Sequence, residues 1–188
     1  TAILAGDALL TAAFEILAGA GCQDKENALE WLEAAYVIAQ AAGHSGMVQG
    51  QMMDLSFEGQ KIALEELETL HRLKTGGLIE ASVRTGALLG GGTNEEIVAL
   101  GNYGRYIGLA FQVADDILNV EGEQKILGKP VGSDVAHQKA TGPSLMGLER
   151  AKARAVELID SAVEELSICG GRAEALSALA HYVVERKT

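Results

Sequence analysis

Helical periodicity runs through nearly the whole sequence, and proline interrupts it only late in the chain. The two prolines are Pro130 and Pro143, so no helix-breaking proline occurs from Thr1 to Lys129. Apolar side chains recur at spacings of three and four positions and do not alternate, which favours helices over strands. Aromatic residues are scarce, at 4% of the composition, and this also favours helix over sheet. We therefore predict an all-α fold.

Glycine-containing breaks divide this pattern into a series of helices. The predicted helices cover 1–18, 28–42, 47–56, 64–71, 72–89, 94–120, 143–168 and 172–186. Thr93 and Glu96 form a capping-box pattern at the start of the helix at 94–120, and the polar segment 121–142 is predicted to be a loop. Because 188 residues fit one domain, we treat 1–188 as a single helical unit.

Charge and cysteine content exclude some classes of function. The formal net charge is −11, which argues against a nucleic-acid-binding surface, because phosphate neutralisation needs clustered lysines and arginines. Cys22 and Cys169 match no zinc or redox spacing, so we expect two buried structural thiols in a protein of the reducing cytoplasm. No run of about eighteen apolar residues occurs, and we expect no transmembrane segment.

Three glycines lie inside the helix predicted at 94–120. They are Gly101, Gly104 and Gly108, and each costs about 1 kcal/mol of helix stability relative to alanine. Either close approach of another helix or space for a ligand compensates this cost, and the sequence leaves both explanations open.

The segment FQVADDILN carries the strongest chemical signal. Gln112, Asp115, Asp116 and Asn119 are spaced by three and four positions, so they share one face of a largely apolar helix. Adjacent carboxylates repel each other unless a cation neutralises them. Oxygen ligands of this kind suit Mg²⁺, which bridges to substrate phosphates. The alternative is a solvated aspartate pair near the end of a helix.

Two basic segments are candidates for binding a phosphate group. Lys129 lies in the glycine-containing LGKPVGSD, and Lys139 follows in QKATGP. HRLKTGGL places Lys74 beside Thr75, with two glycines after them, a combination that suits an oxyanion. The alternatives are solvent-exposed lysines and an ordinary helix start at Thr75.

The segment GQMMD places Gln51 and Asp54 three positions apart on one helix face. This pair fits a polar patch in a pocket or the edge of an amphipathic helix, and the spacing does not decide between them. His71 has no second ligand at metal spacing, so a structural histidine is the simpler interpretation.

Six motifs in order make the sequence resemble the trans-isoprenyl (polyprenyl) diphosphate synthases, and among these the bacterial farnesyl and geranylgeranyl diphosphate synthases. The motifs are GDALL at 6–10, GQMMD at 50–54, HRLKTGGLI at 71–79, GLAFQVADDILN at 108–119, LGKPVGSD at 127–134 and KATGP at 139–143. The resemblance covers the whole chain. It implies an antiparallel helix bundle around a central cavity, usually in a homodimer.

The resemblance also implies a reaction and a set of site residues. The expected reaction is a Mg²⁺-assisted condensation of an allylic diphosphate with isopentenyl diphosphate, giving a short-chain prenyl diphosphate. Asp115 and Asp116 are the implied metal ligands, with the direct bond from Asp115. The implied catalytic residues are Lys74, Thr75, Gln112 and Lys129, and the substrate contacts are these four together with Phe111 and Lys139.

Three departures from the family pattern affect the expected activity. The first aspartate-rich motif of the family belongs upstream of GDALL, so we expect that N-terminal helices are missing and that the chain alone is inactive. Asn119 replaces an aspartate, and Gly142 replaces a common aromatic residue. The alternative function is an inactive or weakly active partner subunit of a prenyl diphosphate synthase. A purely structural helical module leaves the aspartates and lysines unexplained.

Overall fold

The computed structural model describes residues 1–122 and 139–186, which form helices and contain no strand. In chain order the helices are α1 (Ala2–Gln23), α2 (Ala28–Ala42), α3 (Met47–Ser56), α4 (Leu64–His71), α5 (Gly77–Leu89), α6 (Asn94–Gly122), α7 (Gly142–Met146), α8 (Leu148–Glu165) and α9 (Glu174–Glu185). A π-helical turn, Arg72–Gly76, joins α4 to α5, and a 3₁₀ segment, Leu166–Ala173, joins α8 to α9. The all-α prediction is confirmed.

Most predicted helix boundaries agree with the structure. The bounds of α2, α3 and α4 match, and Thr93 caps α6 through a 3.2 Å bond from the Glu96 N–H to its Oγ1. The single helix predicted at 143–168 is wrong. Gly147 adopts a φ of +87°, a conformation that favours glycine, and it separates α7 from α8.

The core lies between α6 and α8, which pack along much of their length. The buried side chains include Tyr103 and Ile107 of α6 and Leu158 and Ile159 of α8, and alanines at the contact let the two helices approach closely. The Tyr103 hydroxyl donates a 2.8 Å hydrogen bond to the Leu176 carbonyl of α9. This packing fixes α6, the helix that carries the aspartate pair.

The glycines inside α6 have two different environments. A Cβ atom at Gly108 would lie 2.6 Å from the Gly76 Cα, and one at Gly104 would lie 2.8 Å from the Glu80 Cα. A Cβ atom at Gly101 would meet nothing within 4 Å. Close backbone approach therefore explains two of the three glycines, and it places α6 directly against the π turn and α5.

Helices α1 and α2 expose a large apolar surface, which we call the α1/α2 face. Its exposed side chains are Ile3, Leu4, Leu9, Leu10, Ile16, Leu29, Leu32 and Tyr36. Within the described part of the chain, α1 is also long and apolar enough to cross a membrane by length and composition alone, with a mean hydropathy of 1.6 over the best window. The sequence predicts no transmembrane segment because Asp7 and Glu15 interrupt the apolar residues of α1, whereas the average hydropathy of this helix is still high. The core helix of a soluble protein and a signal sequence have the same property, so length and composition alone do not identify a membrane span.

The expectation of two buried thiols is wrong for Cys22, which is exposed at the end of α1, and Cys169 is partly buried.

Candidate functional site

A cavity of about 330 Å³ lies between α3, α4, the π turn, α6 and the residues that enter α7. Its lining includes five of the residues predicted from the sequence, namely Lys74, Gln112, Asp115, Asp116 and Lys139. Thr75 does not line the cavity but donates a hydrogen bond to Gln112, which does. Lys129 falls outside the described residues. Side chains up to 87 positions apart in the sequence, from Asp54 to Thr141, thus meet in one polar cavity.

Asp54 joins the two lysines of this cavity. Its Oδ2 accepts hydrogen bonds from Lys74 Nζ at 2.7 Å and from Lys139 Nζ at 2.8 Å. Burial raises the pKa of the Asp54 carboxyl, but the two ammonium groups outweigh this effect and hold the pKa below its usual value. Asp54 is 9% exposed, whereas Gln51 faces solvent. The GQMMD segment therefore contributes Asp54 to the pocket, whereas Gln51 lies on the exposed side of the helix.

The π turn directs neighbouring side chains to different partners. Lys74 reaches Asp54 on α3, and Thr75 donates a 2.7 Å hydrogen bond from Oγ1 to Gln112 Oε1 on α6. Thr75 lies within continuous helical backbone, so the interpretation as an ordinary helix start is wrong. The turn fits here because Gly50 allows α3 to contact it; a Cβ atom on Gly50 would lie 2.3 Å from the Lys74 nitrogen.

The two aspartates of the pair have different environments. The Asp116 carboxylate is buried and accepts a 2.7 Å hydrogen bond from the Gly142 N–H at the start of α7. The Asp115 side chain is 50% exposed, and its Oδ1 lies 3.4 Å from Arg186 Nη2. The burial of Asp116 excludes the interpretation as a solvated pair. Asp115 is the carboxylate that remains accessible from the cavity.

Arg186 is a site residue that the sequence reasoning missed. Its guanidinium lies 4.1 Å from the centroid of the Phe111 ring while it contacts Asp115. Phe111 is therefore beside the aspartates, although it does not line the cavity itself. Arg186 lies 71 positions from Asp115, in a polar end segment where nothing distinguishes it from a solvent-exposed arginine.

His71 is a second residue that the sequence reasoning did not assign to the site. It lines the cavity, and burial together with the nearby Lys74 lowers its pKa to about 4, although Asp54 acts in the opposite direction. Its Nε2 lies 3.9 Å from Asp116 Oδ2, too far for a hydrogen bond. The imidazole is thus neutral at neutral pH. Its position one turn before Lys74 was the signal that could have identified it.

The donor atoms fit part of a magnesium site. Asp115 supplies an accessible carboxylate, and Gln112 and Asn119 place amide groups along the same wall. Magnesium is commonly held by one or two carboxylates, with water and substrate phosphates completing its shell. Within residues 1–122 and 139–186, no group of three or more His, Cys, Asp or Glu side chains is arranged to hold a metal. The described residues therefore supply only part of a magnesium coordination shell.

Residues 1–178 match the model of the polyprenyl synthetase family, and the chain belongs to that family. It is 44% identical to the farnesyl diphosphate synthase of Escherichia coli (strain K12) over 98% of this chain and 63% of that protein. The structure superposes on a putative farnesyl-diphosphate synthase from Marinomonas sp. MED121 with a TM-score of 0.82 and 41% identity, over 97% of this chain and 62% of that one.

A geranyltransferase from Helicobacter pylori, complexed with magnesium and isoprenyl diphosphate, matches with a TM-score of 0.73 and 34% identity over 98% of this chain and 59% of that one. The family and the isoprenoid-synthase-type helical fold predicted from the sequence are confirmed. The chain spans less than two-thirds of the length of these relatives.

Proposed function

We propose that the protein containing this chain is a prenyl diphosphate synthase that condenses an allylic diphosphate with isopentenyl diphosphate into a short-chain product. The observation that carries the proposal is the convergence of Lys74, Lys139 and Asp115 on one cavity. Diphosphate recognition by an acidic protein requires a few well-placed cations, and this cavity has them. The relatives named farnesyl diphosphate synthase support a short-chain prenyl diphosphate as the product.

In this proposal the polar wall of the cavity binds the leaving diphosphate. Lys74 and Lys139 donate to its oxygens and stabilise the negative charge that develops as the allylic carbon–oxygen bond breaks. Asp115, supported by Asp116, would hold Mg²⁺, which when bound neutralises further charge on the leaving group. Thr75 and Gln112 fix each other through their 2.7 Å hydrogen bond and so hold the wall in place.

The apolar wall protects the reacting carbon atoms. Phe57, Ile62, Leu67 and Leu70 line the same cavity and exclude water from the allylic cation. Phe111 is proposed to lie near the reacting carbons, and Lys129 remains a predicted diphosphate ligand. Both assignments rest on the family resemblance.

We also propose that a second copy of the chain covers the α1/α2 face, in a cytoplasmic homodimer. This face exposes at least eight large apolar side chains, and a large exposed apolar patch commonly marks an interaction surface. Sedimentation of the purified protein tests this assignment.

The test of the activity is Mg²⁺-dependent incorporation of labelled isopentenyl diphosphate into an allylic product. The protein is translated from the complete coding sequence, and Asp115→Ala is compared with Asp160→Ala, a change at an exposed aspartate on α8. We expect Asp115→Ala to lose about 100-fold or more in turnover, since it removes charge stabilisation in the transition state. Asp160→Ala should match the wild type. Full activity in Asp115→Ala would contradict the proposal.

The alternative is a non-catalytic partner subunit. Two observations favour this alternative. Asn119, on the cavity wall, replaces an aspartate of the family pattern. A relative 43% identical to this chain is named as the large subunit of a heterodimeric geranylgeranyl pyrophosphate synthase. Turnover by the purified protein alone would exclude this alternative.

A further inference from the structure

We propose that Asp54 is a positioning residue whose carboxylate is the shared counter-ion of Lys74 and Lys139 and holds both ammonium groups at the cavity. The proposal deepens the proposed function, because it explains how the cations that bind the diphosphate are arranged. Asp54 does not touch the substrate in this scheme. It acts through the two lysines.

Both lysines contact the same oxygen atom of Asp54. Lys74 Nζ and Lys139 Nζ lie 2.7 Å and 2.8 Å from Asp54 Oδ2, so the two nitrogens can be no more than 5.5 Å apart. Like charges at this distance repel each other unless an anion lies between them. The side chain of Asp54 is 11% exposed, and those of Lys74 and Lys139 are 31% and 24% exposed. Solvent therefore screens this arrangement much less than a surface ion pair.

The backbone around Asp54 is also built for this role. Gly50 lies one turn before Asp54 on α3 and contacts the backbone of Lys74 so closely that no side chain fits between them. This contact sets the register of α3 against the π turn, and Asp54 faces the cavity as a result. Lys139 enters from the other side, two residues before Thr141, whose side chain caps α7.

Asp54 leaves the lysines able to bind a diphosphate. An ammonium group has three N–H donors, so one bond to Asp54 is compatible with bonds to phosphate oxygens. An aspartate that merely competed with the substrate would have the opposite effect, since its removal would strengthen anion binding. The sign of the change in anion affinity therefore separates positioning from competition.

The experiment compares Asp54→Asn with Glu58→Gln as a matched control. Glu58 lies 3.8 Å from Lys139 Nζ and its side chain is 38% exposed, so both variants remove one negative charge near the same lysine. The first measurement is acetic anhydride labelling of individual lysines, read by mass spectrometry. The second is calorimetric binding of inorganic pyrophosphate in excess MgCl₂.

We expect Asp54→Asn to raise the labelling of both lysines severalfold and to weaken pyrophosphate binding roughly 10- to 100-fold, the range for loss of a charge-assisted hydrogen bond. Glu58→Gln should leave Lys74 labelling unchanged and pyrophosphate affinity within about threefold. Asp54→Glu, which keeps the charge, should restore part of both properties. If Asp54 had only a structural role, restoring the negative charge with glutamate would not restore lysine protection or pyrophosphate affinity.

Wild-type labelling rates in folded Asp54→Asn, or pyrophosphate binding as tight as in the wild type, would overturn the proposal. If the wild-type protein does not bind pyrophosphate, the proposed function fails, and the labelling alone decides the role of Asp54. If Asp54→Asn does not fold, Lys74→Met and Lys139→Met replace it. With Asp54 intact, the remaining lysine should stay protected, and a severalfold rise in its labelling would contradict the proposal.

Discussion

The contact between Gly108 and the π turn makes a sharp prediction about stability. A Cβ atom at Gly108 would lie 2.6 Å from the Gly76 Cα, whereas ordinary contacts begin at 3.4 Å. Replacing Gly108 with alanine must therefore move backbone atoms by about 0.8 Å. Gly101 is the matched control, because it lies two turns earlier on α6 and has open space around its Cβ position.

The expected free energies follow from two opposing effects. Alanine is favoured over glycine inside a helix by roughly 0.5–1 kcal/mol, and this gain applies to both positions. Overpacking at Gly108 costs about 1–3 kcal/mol, and Gly101 has no such cost. Gly101→Ala should therefore be more stable than wild type, and Gly108→Ala should be less stable than Gly101→Ala by about 1–3 kcal/mol. For a chain of this size, each kcal/mol shifts Tm by roughly 2–4 °C.

Urea unfolding followed by circular dichroism measures both variants. Because the helix-propensity gain is common to both, the difference between them isolates the cost of the close contact. Equal stability of the two variants would show that α6 can move away from the π turn without penalty. The close approach would then not explain why the helix contains Gly108.

Two further predictions concern His71 and the α1/α2 face. The folded pKa of His71, about 4, lies below its unfolded value near 6.5, so the unfolded chain binds more protons between these values. The free energy of unfolding should fall as pH drops from about 6.5 to 4. Urea titrations at several pH values measure this dependence, which should be weaker in His71→Gln. An unchanged dependence on pH in this variant would contradict the assignment to His71. For the proposed homodimer, Leu9→Asp on the α1/α2 face should shift sedimentation towards monomer. Leu179→Asp, at an exposed leucine on α9, should not. A wild-type protein that sediments as a monomer would refute the proposed dimer.

The sequence predicted the helices whose ends are determined by residues close by in the chain. Helices α2 and α3 end close to Gly43 and Gly59, which are visible in the sequence, and Thr93 has its capping partner three residues away. Gly147 was missed because one glycine within a helical pattern is compatible with either a packed helix or a break. The periodicity of the apolar residues does not indicate its positive φ.

The site was predicted only in part, because a sequence indicates which side chains have suitable chemistry more readily than which residues they contact. The aspartate pair and the Lys–Thr motif were evident from their spacing. Asp54 was ambiguous because its partners are 20 and 85 positions away, and Arg186 was missed because its partner is 71 positions away. Such pairings depend on tertiary packing, which helical periodicity does not specify.

The π turn at Arg72–Gly76 also limits which sequence changes this region tolerates. A π turn accommodates one residue more than the corresponding α-helical turn, so it offsets the angular phase of α5 from that of α4. If the same residues adopted regular α-helical turns instead, one segment would rotate by about 100° relative to the other. Thr75 would then turn away from Gln112, or Leu70 would turn away from the cavity. A substitution that keeps the π turn changes one contact at a time, whereas a substitution that converts it to regular α-helix alters all of these contacts together.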